Sequence, residues 1–153
     1  NVERLEFSDK SLAIDLEDPN SAGGIYRLYQ AAFDRSPDLG GLGYWIDQSD
    51  HGKSAADIAE DFTWSTEFLN LFGIQHPDHY LAGSNIGNIV TGLYQHVLHR
   101  APDAGGLTYY MHVIVDHQKT IGRVLAEISD SPENHVQVVG QIEHGIEYTP
   151  WMA

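Results

Sequence analysis

A chain of 153 residues, 42% hydrophobic and 10% aromatic, is long enough for one domain with a buried core and too apolar to be disordered. Twenty-two acids against eight bases give a formal net charge of −14, which disfavours nucleic acid and anionic lipid as partners and attracts cations such as Ca²⁺. The absence of cysteine excludes disulfides, thiolate zinc sites and cysteine nucleophiles, and no apolar run reaches the roughly 18 residues of a membrane-spanning helix.

The N-terminal segment, residues 1–20, differs from the rest. Val2, Leu5 and Phe7, then Leu12, Ala13, Ile14 and Leu16, flank the turn-prone Ser8-Asp9-Lys10-Ser11 and predict two short strands joined as a hairpin. A lone hairpin is marginal in water, so it is expected to lean on the helices or on whatever precedes it in a longer parent chain. The chain opens on Asn1 without a signal-peptide pattern, and is therefore expected to be an excised or processed piece.

Helical periodicity starts after the Gly23-Gly24 break. Ile25, Leu28, Tyr29, Ala32 and Phe33 fall at one-faced helical spacing, and Val90, Leu93, Tyr94, Val97 and Leu98 repeat the pattern 65 residues later. Each helix runs into the same turn. The first reads Arg35-Ser-Pro37-Asp38-Leu-Gly40-Gly41-Leu42, the second Arg100-Ala-Pro102-Asp103-Ala-Gly105-Gly106-Leu107.

A second helix follows in each repeat, carrying Leu42, Trp45 and Ile46 or Leu107, Tyr110, Met111, Ile114 and Val115. A third carries Ala55, Ile58, Ala59 and Phe62 or Ile121, Val124, Leu125 and Ile128. A fourth begins at Ser65-Thr66-Glu67 or Ser131-Pro132-Glu133, where serine caps the helix and an acid faces its positive end. Its apolar face is expected at Phe68, Leu71 and Phe72 or at Val136, Val139 and Ile142.

The predicted architecture is mainly α: two pseudo-repeated four-helix units packed into one domain, preceded by a short β-hairpin. The helical repeat domain is assigned to residues 21–147, with the first repeat at 21–76, the second at 77–147, and residues 148–153 as a tail. The paired pattern LY-x(5)-R-x-PD-x-GGL-x-Y-aromatic, with S-x-E two helices on and RLEFSDKSLAIDL ahead of it, resembles the bacterial family called domain of unknown function 4214. The helical unit is also similar to the phycobilisome linker domain. The resemblance implies a helical, non-enzymatic module from large secreted and surface-layer (S-layer) proteins, often beside repeats-in-toxin calcium modules. It implies an extracellular or cell-surface location.

The two turns are the foremost site candidates. Asp34 and Asp38, with Asp103 and backbone carbonyls in the second repeat, could offer oxygen ligands to Ca²⁺ from a glycine-rich loop. The alternative is structural: Arg35 and Arg100 close one helix at its negative end while Asp38 and Asp103 cap the next. His76 with His79, His96 with His99, and His112 with Asp116 and His117 have spacings open to a transition metal, though each cluster supplies few of the four usual ligands locally.

No G-x-S-x-G, HExxH, P-loop or dinucleotide-binding pattern is present, so no catalytic residue and no cofactor is assigned, with Ca²⁺ left as the candidate ion. Trp64 stands apart from the other aromatics because its counterpart is Asp130, so the repeat does not require it in the core. These features point to an adhesion or assembly module engaging other surface proteins or itself. A glycan-binding or glycan-processing domain built around Trp64 is the alternative.

Overall fold

The computed structural model describes residues 3–74 and 83–152, so His76, His79 and the connector around Pro77 lie outside the described residues. Strands β1 (Arg4–Glu6) and β2 (Ser11–Ala13) form the expected hairpin, in antiparallel register with Leu5 opposite Leu12. The first repeat folds as α1 (Ala22–Phe33), α2 (Leu39–Asp50), α3 (Ala55–Thr63) and α4 (Thr66–Leu71). The second follows as α5 (Gly83–Leu98), α6 (Ala104–Val115), α7 (Ile121–Ser129) and α8 (Pro132–Ile142), and β3 (Ile146–Tyr148) ends the chain's regular structure.

The caps repeat with the helices. Asp38 and Asp103 start α2 and α6, Ser54 and Thr120 start α3 and α7, and Ser65 and Ser131 start α4 and α8. Each side chain accepts a hydrogen bond from a backbone N–H of the first turn, satisfying a donor that the helix itself leaves unpaired. After α1 and α5 the chain turns through the left-handed region at Asp34 and His99, with φ of 50° and 52°. The two halves thus share turn geometry as well as sequence.

Both repeats contribute to a single core. Ile25 and Leu28 of α1, Ile58 and Phe62 of α3, Val90 and Leu93 of α5, and Val124 and Leu125 of α7 all belong to one buried apolar cluster. The third helices, α3 and α7, meet along the seam. A methyl group on Gly122 would lie 2.7 Å from the backbone of Glu60, so the two helices approach that closely only through glycine. Symmetry breaks beside the seam. Buried Arg27 reaches across to Asp130 at 2.9 Å, whereas the aligned position in α5 is Gly92, against which the Phe72 ring packs.

Several expectations need correction, beginning with Leu71 of α4 and Val115 of α6, which are exposed. On α8 the buried positions are Asn134, Val138 and Ile142, while Val136 and Val139 face solvent. The run Val-Gln-Val-Val supports either stripe, and the polar Asn134 hid the true one: its side chain is satisfied internally by the carbonyl of Ser129 at 2.7 Å. Residues 148–153, read as a tail, include the end of a strand. β3 pairs antiparallel with β2 and completes a sheet of order β1-β2-β3.

Beyond β3, the N–H of Thr149 donates to the carbonyl of Leu39 at 3.0 Å, and a Cβ on Gly43 would fall 1.8 Å from the Thr149 carbonyl oxygen. Trp151 then packs edge-on against Tyr44 of α2, 5.0 Å between ring centres. The sheet turns Ser11, Ala13, Ile146 and Tyr148 toward the helices, and leaves Leu5, Phe7 and Ile14 exposed.

Candidate functional site

The repeated turn builds the same constellation twice. In the first repeat, Arg35 donates from Nε to Glu67 Oε1 at 2.6 Å and from an η nitrogen to Glu67 Oε2 at 3.1 Å, a two-pronged bridge to the first turn of α4. The guanidinium lies 5.1 Å from the centre of the Tyr29 ring and also donates to the Tyr29 hydroxyl at 3.2 Å. That hydroxyl donates in turn to Asp38 Oδ2 at 3.1 Å, while Asp38 Oδ1 accepts the N–H of Gly41 at 2.7 Å.

The second repeat reproduces most of this. Arg100 bridges to both carboxylate oxygens of Glu133 at 2.8 Å and stacks 5.1 Å from the Tyr94 ring, and Asp103 Oδ1 accepts the N–H of Gly106 at 2.8 Å. Two elements are missing: no hydrogen bond from Arg100 to the Tyr94 hydroxyl matches the one from Arg35 to Tyr29, and no Tyr94–Asp103 hydrogen bond matches the one between Tyr29 and Asp38. The Tyr94 hydroxyl instead lies over Gly106, 2.7 Å from where a Cβ would be.

The electrostatics follow the geometry. The Gly41 N–H, then the Tyr29 hydroxyl, hold the Asp38 carboxyl below the usual carboxylate range, and the Gly106 N–H does the same for Asp103. The Arg100 hydrogen bonds lower Glu133, and the matching carboxylates raise both arginines. Burial is the main reason the Tyr29 and Tyr94 hydroxyls are pushed up. In each repeat a charge network ties the end of the first helix, the turn and the start of the fourth helix together.

Arg35 and Arg100 were expected to close a helix at its negative end, and the structure gives them other work. Their side chains donate to Glu67 and Glu133, and to the carbonyls of Ser36 and Ala101, rather than to the terminal carbonyls of α1 and α5. Asp38 and Asp103 are the N-caps of α2 and α6. Asp34 is the exposed left-handed residue at the end of α1. Among the described residues, no three His, Cys, Asp or Glu side chains converge as a metal-binding group. Trp64 ends α3 and is 55% exposed, and its counterpart Asp130 accepts from Arg27 and contacts His135 at 2.8 Å.

A cleft of about 260 Å³ lies where the two repeats meet, lined by Asp34, Arg35, His96, His99, Gln137 and Gln141 among others. Gln141 ties its wall together by accepting from the amide of Gln30 at 2.9 Å and the hydroxyl of Tyr26 at 3.3 Å. The structure thus brings Asp34 and Arg35 together with His96 and His99, and leaves Arg100, Asp103 and Trp64 outside that lining.

The residues that sequence reasoning missed are Tyr29, Tyr94, Glu67 and Glu133 in their shared role. The signal was present: an arginine in each turn and the glutamate of an S-x-E on a later helix recur at separations of 32 and 33 residues. A protein-family model described as Domain of unknown function (DUF4214) matches residues 6–72 and, a second time, residues 79–138. No curated protein and no solved structure gives a match.

Proposed function

The chain belongs to the DUF4214 family, and on that footing we propose that it is a non-catalytic adhesion or assembly module of an exported bacterial surface protein. One observation carries the reading. Of the charged residues that define the repeat, Arg35 with Glu67 and Arg100 with Glu133 join the turn after the first helix to the fourth, and Asp38 and Asp103 cap the second. What is repeated is an architectural device, and an architectural device suits a module whose task is to present surface.

Two further features support it. The sequence carries no catalytic motif, and the acidic surface suits an exported chain that must stay soluble until it meets its partner. The exported setting itself rests on the sequence resemblance. The partner is another surface protein or a second molecule of the same chain. The test combines sedimentation with a glycan array on the whole chain, each with Ca²⁺ and with chelator. Self-association or capture of a surface protein without sugar binding is expected. Tight glycan binding lost in Trp64→Ala, or sugar turnover by the purified chain, would overturn the proposal.

A further inference from the structure

We propose that the open edge of β1 is a self-association surface, at which two molecules pair β1 antiparallel about a twofold axis through Leu5. The inference rests on the assembly reading above and names its contact.

The ladder fixes which groups face outward. The Glu3 carbonyl accepts from Ile14 and the Phe7 N–H donates to Lys10, with Leu5 opposite Leu12 between them. Alternate residues of a strand point their backbone groups to opposite edges, so Leu5 turns toward β2 while Arg4 and Glu6 turn toward the free edge. Neither Arg4 nor Glu6 makes a backbone hydrogen bond beyond the hairpin among the described residues.

The sequence Arg4-Leu5-Glu6 is complementary to itself when reversed. With Leu5 on the axis, Arg4 stands opposite Glu6 of the partner protomer and Glu6 opposite Arg4 of the partner protomer. These are the two positions whose N–H and C=O groups can exchange a full set of ladder bonds. Leu5 then meets Leu5 of the partner protomer as the close, non-hydrogen-bonded pair, with Phe7 diagonal to it on the same face. Pairing joins two three-stranded sheets into one of six.

The surroundings favour this contact over others. Leu5, Phe7 and Ile14 form an exposed apolar face, beside which Lys10 is neutralised by Glu147 at 2.6 Å. In a chain of net charge −14, two molecules repel over most of their surface; at this edge the exposed Glu3, Glu6 and Asp9 carry no ion pair among the described residues, and the pairing sets each Glu6 opposite an arginine. The terminal nitrogens of Arg4 also hold Asp15 and Asp50, which fixes its side chain beside the strand.

Sedimentation of the whole chain across concentration, with hydrogen exchange of the Arg4 and Glu6 amides, tests the pairing. Dimer formation should slow exchange at both amides. Glu6→Arg should weaken the dimer roughly tenfold or more, because it sets like charges opposite each other twice. Glu6 is exposed and makes no ion pair among the described residues, so the variant should keep its helical circular dichroism. Leu5→Asp, acting on the axis itself, should weaken the dimer through a separate contact.

The substitution of Glu6 by arginine also reduces the net negative charge, so nonspecific association would strengthen rather than weaken. Self-association that persists in both variants, with the Arg4 and Glu6 amides unprotected, would overturn this contact and leave the assembly reading standing. A chain that stays monomeric into the millimolar range would overturn the contact, and would restrict assembly to other partners.

Discussion

Asp38 does its work by accepting one hydrogen bond from the N–H of Gly41 and one from the Tyr29 hydroxyl. Replacing it with alanine removes a helix cap, and should cost about 1 kcal/mol at neutral pH whether Ca²⁺ or chelator is present. The pH dependence has a definite sign. Because the folded carboxyl titrates below its unfolded value of about 4, its contribution is complete above that pH and is lost as pH falls through the folded pKa. Urea denaturation of wild type and Asp38→Ala should therefore show a gap at pH 7 that narrows in acid. Asp130 poses a harsher case, since Arg27 is almost wholly buried and Asp130 is its carboxylate partner. Asp130→Ala should cost about 3 kcal/mol, the low end for stranding a buried charge, because the carbonyls of Leu16 and Glu17 still hold the guanidinium. Glu67→Gln, at a half-exposed pair, should cost less than about 1 kcal/mol. Equal losses in the two variants would contradict the burial argument.

The C-terminal segment shows how a short element depends on one close approach among its few contacts. Thr149 and Trp151 lie along α2 because Gly43 presents no Cβ to the Thr149 carbonyl. Gly43→Ala should lift that segment away, raising the quenching of the already half-exposed Trp151 while far-UV circular dichroism keeps its helical shape. Unchanged Trp151 quenching would contradict it. This element was also the least legible in the sequence. Ile146-Glu147-Tyr148 is three residues long, too short for alternation to register, and its partner β2 lies more than a hundred positions away in the chain. The helices were legible because Ile25, Leu28, Ala32 and their counterparts hold a 3.6-residue period over several turns. The caps were legible as well, because Ser65, Ser131, Asp38 and Asp103 act on backbone only three residues ahead. The Arg35–Glu67 and Arg100–Glu133 bridges were not. Two helices intervene, and an arginine just past a helix end is as well explained by the helix dipole until the fold brings the glutamate back.

Seen together, the two repeats are one device used twice and joined along α3 and α7, with β3 and the C-terminal segment laid against α2 of the first repeat. Seven of the eight bases take part in ion pairs, and Arg123 forms none among the described residues. The acidic excess is therefore left largely uncompensated on the surface, where it acts on partners rather than on the fold. If the repeated signature is architectural, its arginine and glutamate must be coupled in both repeats, and independently of any ligand. Double-mutant cycles on Arg35 with Glu67 and on Arg100 with Glu133, read by urea denaturation with Ca²⁺ and with chelator, measure that coupling. A favourable coupling of the same sign in both repeats, unchanged by Ca²⁺, is predicted. Coupling absent from both repeats, or appearing only when Ca²⁺ is bound, would contradict the architectural account.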